Sequence, residues 1–289
     1  MKGEMTVKEI GRGVYVETRY EGGNVGAITT ARGGLLVNAP MLPNEAREWQ
    51  LALRQVGIHS LYGIVNTDYL PEHALGNYFF RPIRSFGHEA ALRFIAKFEA
   101  TALEELSVRY REVYPSLAQE ILGMRFIPPE IAVGDRLTLY FEDRIAEILL
   151  LEGYTPGSLG LYLPQDRILF AGDNVTNGEH PALAQADSLA WLKTLERIEG
   201  MEIDLIVPGK GEPCGKDVIR PLYTYIEEMR NRVTELFQKG VSRRECVERV
   251  DLFDFFPVPP AQEALFRRRY RESIERVYTE VRVALRKRS

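Results

Sequence analysis

The stretch 66-NTDYLPEHALGN-77 follows the short apolar run 60-SLYGIVNT-67, which reads as a buried strand ending in β-branched residues. Three similar pieces occur further on. They are 170-FAGDNV-175 and 207-VPGKGEP-213, each just after a predicted strand, and 152-EGYTPGSLGLYLP-164, a turn between two strands. Polar residues collected at the ends of successive strands are where layered α/β folds build their sites. The fold class and the candidate chemistry both follow from these four pieces.

Working outward, the first forty residues alternate as strands punctuated by Gly11-Arg12-Gly13, Gly22-Gly23 and Gly33-Gly34. A helix is predicted over NEAREWQLALRQVG, with Asn44 as its N-cap and Gly57 as its stop. Helical periodicity returns over residues 88–123, broken at Pro115, and strands return over 136–171. SLAWLKTLERIEG reads as a helix capped by Ser188, and DLIVPG as one more buried strand. Beyond about residue 215 the chain is helical, with Ser242 capping a short helix and a proline-rich break at 256–262. The last helix carries Arg267, Arg268 and Arg269, read as a solvated face above buried Leu265, Tyr270, Ile274 and Val277.

In total the chain has 289 residues with a formal charge of −4. A pI near 5.8 and a mean hydropathy of −0.20 point away from nucleic acid and from a membrane as partners. The first residues lack the apolar stretch of a secretory signal, and two cysteines, Cys214 and Cys246, are too few for a disulfide framework. The expected location is cytoplasmic. No GxSxG elbow supports a serine hydrolase, and Ser158 in TPGS has no histidine near it in sequence.

The four pieces together resemble the metallo-β-lactamase superfamily. Its members carry NTHxHxDHxxGN, a GHTPGS-type turn, LFAGD and VPGHG in this order, over what would be residues 10–215 here. The resemblance implies an α/β architecture, an αββα two-sheet sandwich, over residues 1–214, with a C-terminal helical extension over 215–289 packed on it. In the family these motifs deliver imidazoles and carboxylates to two zinc ions, which prefer such donors and acidify a bound water.

Position by position, the two leading histidines of the first motif correspond to Asp68 and Leu70, its aspartate to Glu72, and its last histidine to His73. The turn histidine corresponds to Tyr154, and the bridging aspartate is kept as Asp173. The histidine of VPGHG corresponds to Lys210, and the aspartate that commonly closes an early strand to Asn38. His180, in NGEHP, is a further residue for the mouth of the pocket. Leucine has no donor atom, and an ammonium has three N–H donors and no lone pair. Lys210 is therefore expected to supply the positive charge a metal would otherwise bring, through hydrogen bonds to Asp173, Glu72 or Asp68. Each residue also has a structural reading: His73 as a core histidine, Asp173 as a turn cap, Glu72 as a cap for a helix starting at His73, and Tyr154 as filler for the space of an imidazole.

The leading expectation is a pseudoenzyme with no cofactor, binding a small molecule or a partner in the former active-site pocket. A hydrolase of the ester, thioester or lactone class is the alternative, with one divalent ion such as Mg²⁺ or Mn²⁺ at Asp68, Glu72, His73 and Asp173. A third is a structural subunit that assembles through its helices. The phenylalanines of DLFDFFPVPP serve as a lid or, as an apolar cluster, favour a homodimer.

Overall fold

The computed structural model describes residues 7–81 and 83–286. In chain order its elements are β1 (Lys8–Gly11), β2 (Val14–Glu17), β3 (Val25–Thr30), β4 (Gly33–Val37), α1 (Pro43–Gln55), β5 (Leu61–Val65), α2 (Pro71–Ala74), β6 (Ser85–His88), α3 (Ala90–Arg111) and α4 (Pro115–Leu122). There follow β7 (Ile131–Val133), β8 (Arg136–Tyr140), β9 (Ile145–Leu150), β10 (Leu159–Leu163), β11 (Ile168–Thr176), α5 (Ser188–Gly200), β12 (Leu205–Lys210), α6 (Ile219–Gln238), α7 (Arg243–Arg249) and α8 (Glu263–Arg286). Short 3₁₀ turns fill several of the connections. Among the described residues no helix is long and apolar enough to cross a membrane.

The strands form two sheets, ordered β1-β2-β3-β4-β5-β6-β7 and β12-β11-β10-β9-β8. In the first, β1 to β4 form an antiparallel meander, and β4 to β7 run parallel. In the second, β8 to β11 are antiparallel neighbours. The chain divides into two compact units. One runs through Leu150 and adds Gly157–Gly172; the other holds Leu151–Pro156 and everything from Asp173 onward.

In the first unit the alternation of the early strands directs two cores. Val25, Ala27 and Leu36 face α1, where Trp49 and Leu53 cover them. Gly26, on the opposite face of β3, lies against the Phe170 ring of β11, where a Cβ would sit 2.3 Å from the ring edge. The missing side chain at Gly26 is thus the space that Phe170 fills. Beside these strands, α3 and α4 close over Leu75 with Leu106, Tyr110, Ile121 and Phe126. Pro115 breaks the periodicity by opening α4 at its first turn, where no N–H is needed.

In the second unit, α6 packs on α5, α7 and α8. The capping box of α7 is as expected: Ser242 accepts from the Glu245 N–H and Glu245 reaches back. Two other caps differ. Leu42, not Asn44, precedes α1, because Pro43 occupies the first helical position and moves the start earlier. Asp187, not Ser188, caps α5 by accepting from the Ala190 N–H at 3.0 Å. Tyr270, Ile274 and Val277 are buried on α8 as expected, whereas Leu265 is 44% exposed. Arg267 and Arg268 pair along the helix with Glu263 and Glu272, as a solvated face does.

Candidate functional site

The first unit places Asn38, Asp68, Leu70, Glu72 and His73 together at the ends of β4 and β5. Asn38 leaves β4 in the left-handed region at φ 58°, a conformation asparagine tolerates better than most residues. Its amide then brackets Thr67, accepting from the Thr67 N–H at 2.8 Å and lying 3.0 Å from its hydroxyl. Asn66 and Asn77, the two ends of the quoted motif, exchange amide hydrogen bonds at 2.7 and 3.2 Å. Asn66 also donates to the His73 carbonyl at 2.7 Å, and the Ala39 N–H donates to the same oxygen. All of these amides are buried, so each hydrogen bond removes a penalty of about 1–3 kcal/mol for an unsatisfied group.

Within this frame Asp68 uses both carboxylate oxygens. Oδ1 accepts from the Leu70 N–H at 2.8 Å, closing a tight turn, and Oδ2 accepts from Nδ1 of His73 at 2.8 Å. Both side chains are 1% exposed. The His73 ring is thereby fixed in tautomer and orientation by a carboxylate five residues earlier. Leu70 is buried and apolar at the N-cap of α2. That helix starts at Pro71, so Glu72 sits inside its first turn and does not cap a helix beginning at His73. Beside Asp68 and His88 the unit leaves a void of only about 10 Å³, room for one water at most. Gly172 ends this unit in the left-handed region at φ 56°, and a Cβ there would fall 2.6 Å from Thr67. The AGD sequence therefore needs glycine for both conformation and space.

The second unit holds Tyr154, Asp173, His180 and Lys210. Asn174, which follows Asp173, organises the turn: it accepts from the Tyr154 N–H at 3.0 Å, donates to the Leu151 carbonyl, and offers its own carbonyl to the Trp191 indole. The Tyr154 ring stands edge-on to Trp191 at 5.7 Å. Asp173 is 6% exposed. Lys210 ends β12 half-exposed, and its carbonyl accepts from the Asn177 N–H at 3.0 Å. Among the described residues its ammonium is in no ion pair with a carboxylate of this unit, so the expected bond to Asp173 is not made. Cys214 lies beyond, half-buried, and burial with Asp217 nearby pushes its thiol up to about 11. That is the wrong direction for a reactive thiolate.

His180 lines a cavity of about 250 Å³ in the second unit. Its Nε2 donates to the Phe256 carbonyl at 2.9 Å, and its ring meets Phe266 at 4.4 Å, Tyr225 at 5.3 Å and Phe256 at 5.3 Å. Burial lowers its pKa, partly offset by backbone carbonyls of Phe256 and Phe253. Phe253, Phe255 and Phe256 pack against these rings and Tyr270, half-buried inside the unit. The proline-rich segment thus walls this cavity through Pro257, Val258 and Pro259.

Three groups of residues escaped the sequence reading. Thr67, Asn66 and Asn77 are ordinary polar letters within a motif read for its metal donors. Asn174 was overshadowed by Asp173. Arg269 was taken for a solvated charge, but it is three residues from Phe266 and so shares the face that lines the cavity. Among the described residues, no three His, Cys, Asp or Glu side chains converge so as to hold a metal ion.

Comparison with known proteins places this geometry. A linear primary-alkylsulfatase from Pseudomonas sp. (strain ATCC 19151) is 26% identical over 141 residues, 44% of this chain but only 26% of that protein. The chain thus spans about a quarter of the length of this curated relative. The stereoselective inverting sec-alkylsulfatase Pisa1 from Pseudomonas sp. superposes with a TM-score of 0.67 at 17% identity, over 95% of this chain and 50% of Pisa1. The metallo-beta-lactamase family protein TTHA1429 from Thermus thermophilus gives 0.67 at 19% identity over 92% and 91%. At these identities the structures speak for the fold alone. The sequence model of the metallo-beta-lactamase superfamily matches residues 19–210, about two thirds of the chain, and this protein belongs to that superfamily.

Proposed function

We propose that this chain is a metallo-β-lactamase-fold protein without the dinuclear zinc centre, a cytoplasmic protein that binds a small molecule or a partner through its strand-end loops and does not hydrolyse it. One observation carries the reading. At the positions where the superfamily motif has its leading histidines, Asp68 spends both carboxylate oxygens on the Leu70 N–H and the His73 ring. Leu70 itself offers no donor. A set in which leucine and an ammonium stand where the motif has imidazoles does not suit two zinc ions.

Elemental analysis of protein purified without chelators or metal-affinity resin tests this. The expected result is well under one equivalent of zinc per chain after dialysis. Stoichiometric zinc would overturn the proposal. One equivalent of Mg²⁺ or Mn²⁺ would favour the competing hydrolase, built on Asp68, Glu72, His73 and Asp173.

A further inference from the structure

We infer that the cavity around His180 is a binding site for a small zwitterion with an apolar or aromatic body, the chemistry of a free amino acid with a large apolar side chain. The cavity lies wholly in the second unit, and the inference stands whether or not the strand-end loops hold a metal. Its walls come from the loop carrying His180, from α6 through Tyr225, from the segment at Pro257, and from α8 through Phe266 and Arg269. At about 250 Å³ it falls just under the usual range for ligand pockets, which suits a small metabolite.

The polar groups narrow the choice. His180 spends its Nε2–H on the Phe256 carbonyl. The Tyr270 hydroxyl is engaged twice, donating to the Val250 carbonyl at 3.2 Å and accepting from the Leu252 N–H at 2.9 Å. Two charges remain on the lining, Arg269 and Glu179. Both side chains are half-buried, and among the described residues neither is in an ion pair. A partly desolvated cation and anion that do not neutralise each other are each stabilised by an opposite charge. A ligand with carboxylate and ammonium a few bonds apart serves both, while its body replaces water against Tyr225 and Phe266. A simple anion would serve Arg269 and meet repulsion from Glu179; a simple amine would do the reverse.

Calorimetric titration of the full chain with three probes tests this: L-phenylalanine, 3-phenylpropionate and 2-phenylethylamine, which share the ring and differ in charge. The zwitterion is expected to bind at least tenfold more tightly than either half-molecule. Arg269→Met keeps the apolar stem and should weaken L-phenylalanine at least fivefold, leaving 2-phenylethylamine unchanged or stronger. Glu179→Gln should weaken L-phenylalanine similarly and leave 3-phenylpropionate unchanged or stronger. Both positions are half-exposed, and a melting curve matching the parent shows that each variant folds. Equal binding of all three probes, no binding of L-phenylalanine at millimolar concentration, or indifference of its binding to both variants would each overturn the inference.

Discussion

Asp68 joins a turn to an imidazole, so its loss would be felt in two places. Replacing it by alanine frees the Leu70 N–H and leaves Nδ1 of His73 without its acceptor, in a site where both side chains are 1% exposed. Removing one partner of such a pair typically costs about 3–5 kcal/mol. Asp68→Asn keeps an acceptor for one of the two and should cost less, about 1–3 kcal/mol. Lys210→Ala is the contrast. Half-exposed and without an ion pair in its unit, Lys210 should tolerate truncation within about 0.5 kcal/mol. Chemical denaturation of the three variants checks the ranking. A large loss at Lys210 with little at Asp68 would mean that the lysine, not the Asp68–His73 pair, organises the loops.

At the scale of elements, α5, α6 and α8 meet at Glu280. Its carboxylate accepts from the N–H and hydroxyl of Ser188 at the start of α5 and from Arg230 of α6 at 3.0 Å, and it forms an ion pair with Arg276 one turn earlier on α8. Burial, which outweighs these partners, holds the Glu280 carboxyl above its ordinary range. The folded protein therefore keeps a proton there at pH values where the unfolded chain has lost it. The stability this group contributes is full below about pH 4.3 and fades as pH rises through the folded value. Glu280→Gln, a neutral mimic, should gain on the parent as pH rises over that window. Glu280→Ala at neutral pH should lose about 3 kcal/mol, because Arg230 is left 14% exposed without its carboxylate. Melting curves of both variants from pH 4 to 8 measure this; a parent that gains on Glu280→Gln as pH rises would refute it. None of this junction was legible in the sequence. The periodicity of α5, α6 and α8 was plain, and so was the strand pattern of β8 to β11. Which polar letters would meet across 92 residues, as Ser188 and Glu280 do, depends on how the helices pack and on no local signal. The caps show the same limit at short range, since Asp187 and Ser188 are both good caps and only the backbone geometry separates them.

For the molecule as a whole, the order of four strand-end motifs was enough to read the superfamily, because those motifs are tied to the topology. What the loops do was harder to read, since one substituted side chain changes a ligand set while leaving the fold intact. Melting in metal and in chelator separates the two readings. A ligand that binds only the folded state adds stability as RT ln(1 + [L]/Kd), about 4 kcal/mol at a thousandfold excess over Kd. For chains of this size a kcal/mol moves the midpoint by about 2–4 °C or slightly less, so a tight metal centre would separate the two melting temperatures by several degrees. The leucine at position 70 and the lysine at position 210, where the superfamily motifs have imidazoles, predict agreement within about 1 °C between excess zinc and excess EDTA. The same agreement is expected for Mg²⁺ and Mn²⁺, since among the described residues no three His, Cys, Asp or Glu side chains converge so as to hold an ion. A rise of several degrees with Mg²⁺ or Mn²⁺ alone would identify a single hard-ion site, and with zinc a functional superfamily centre. Either shift would return the chain to the hydrolases.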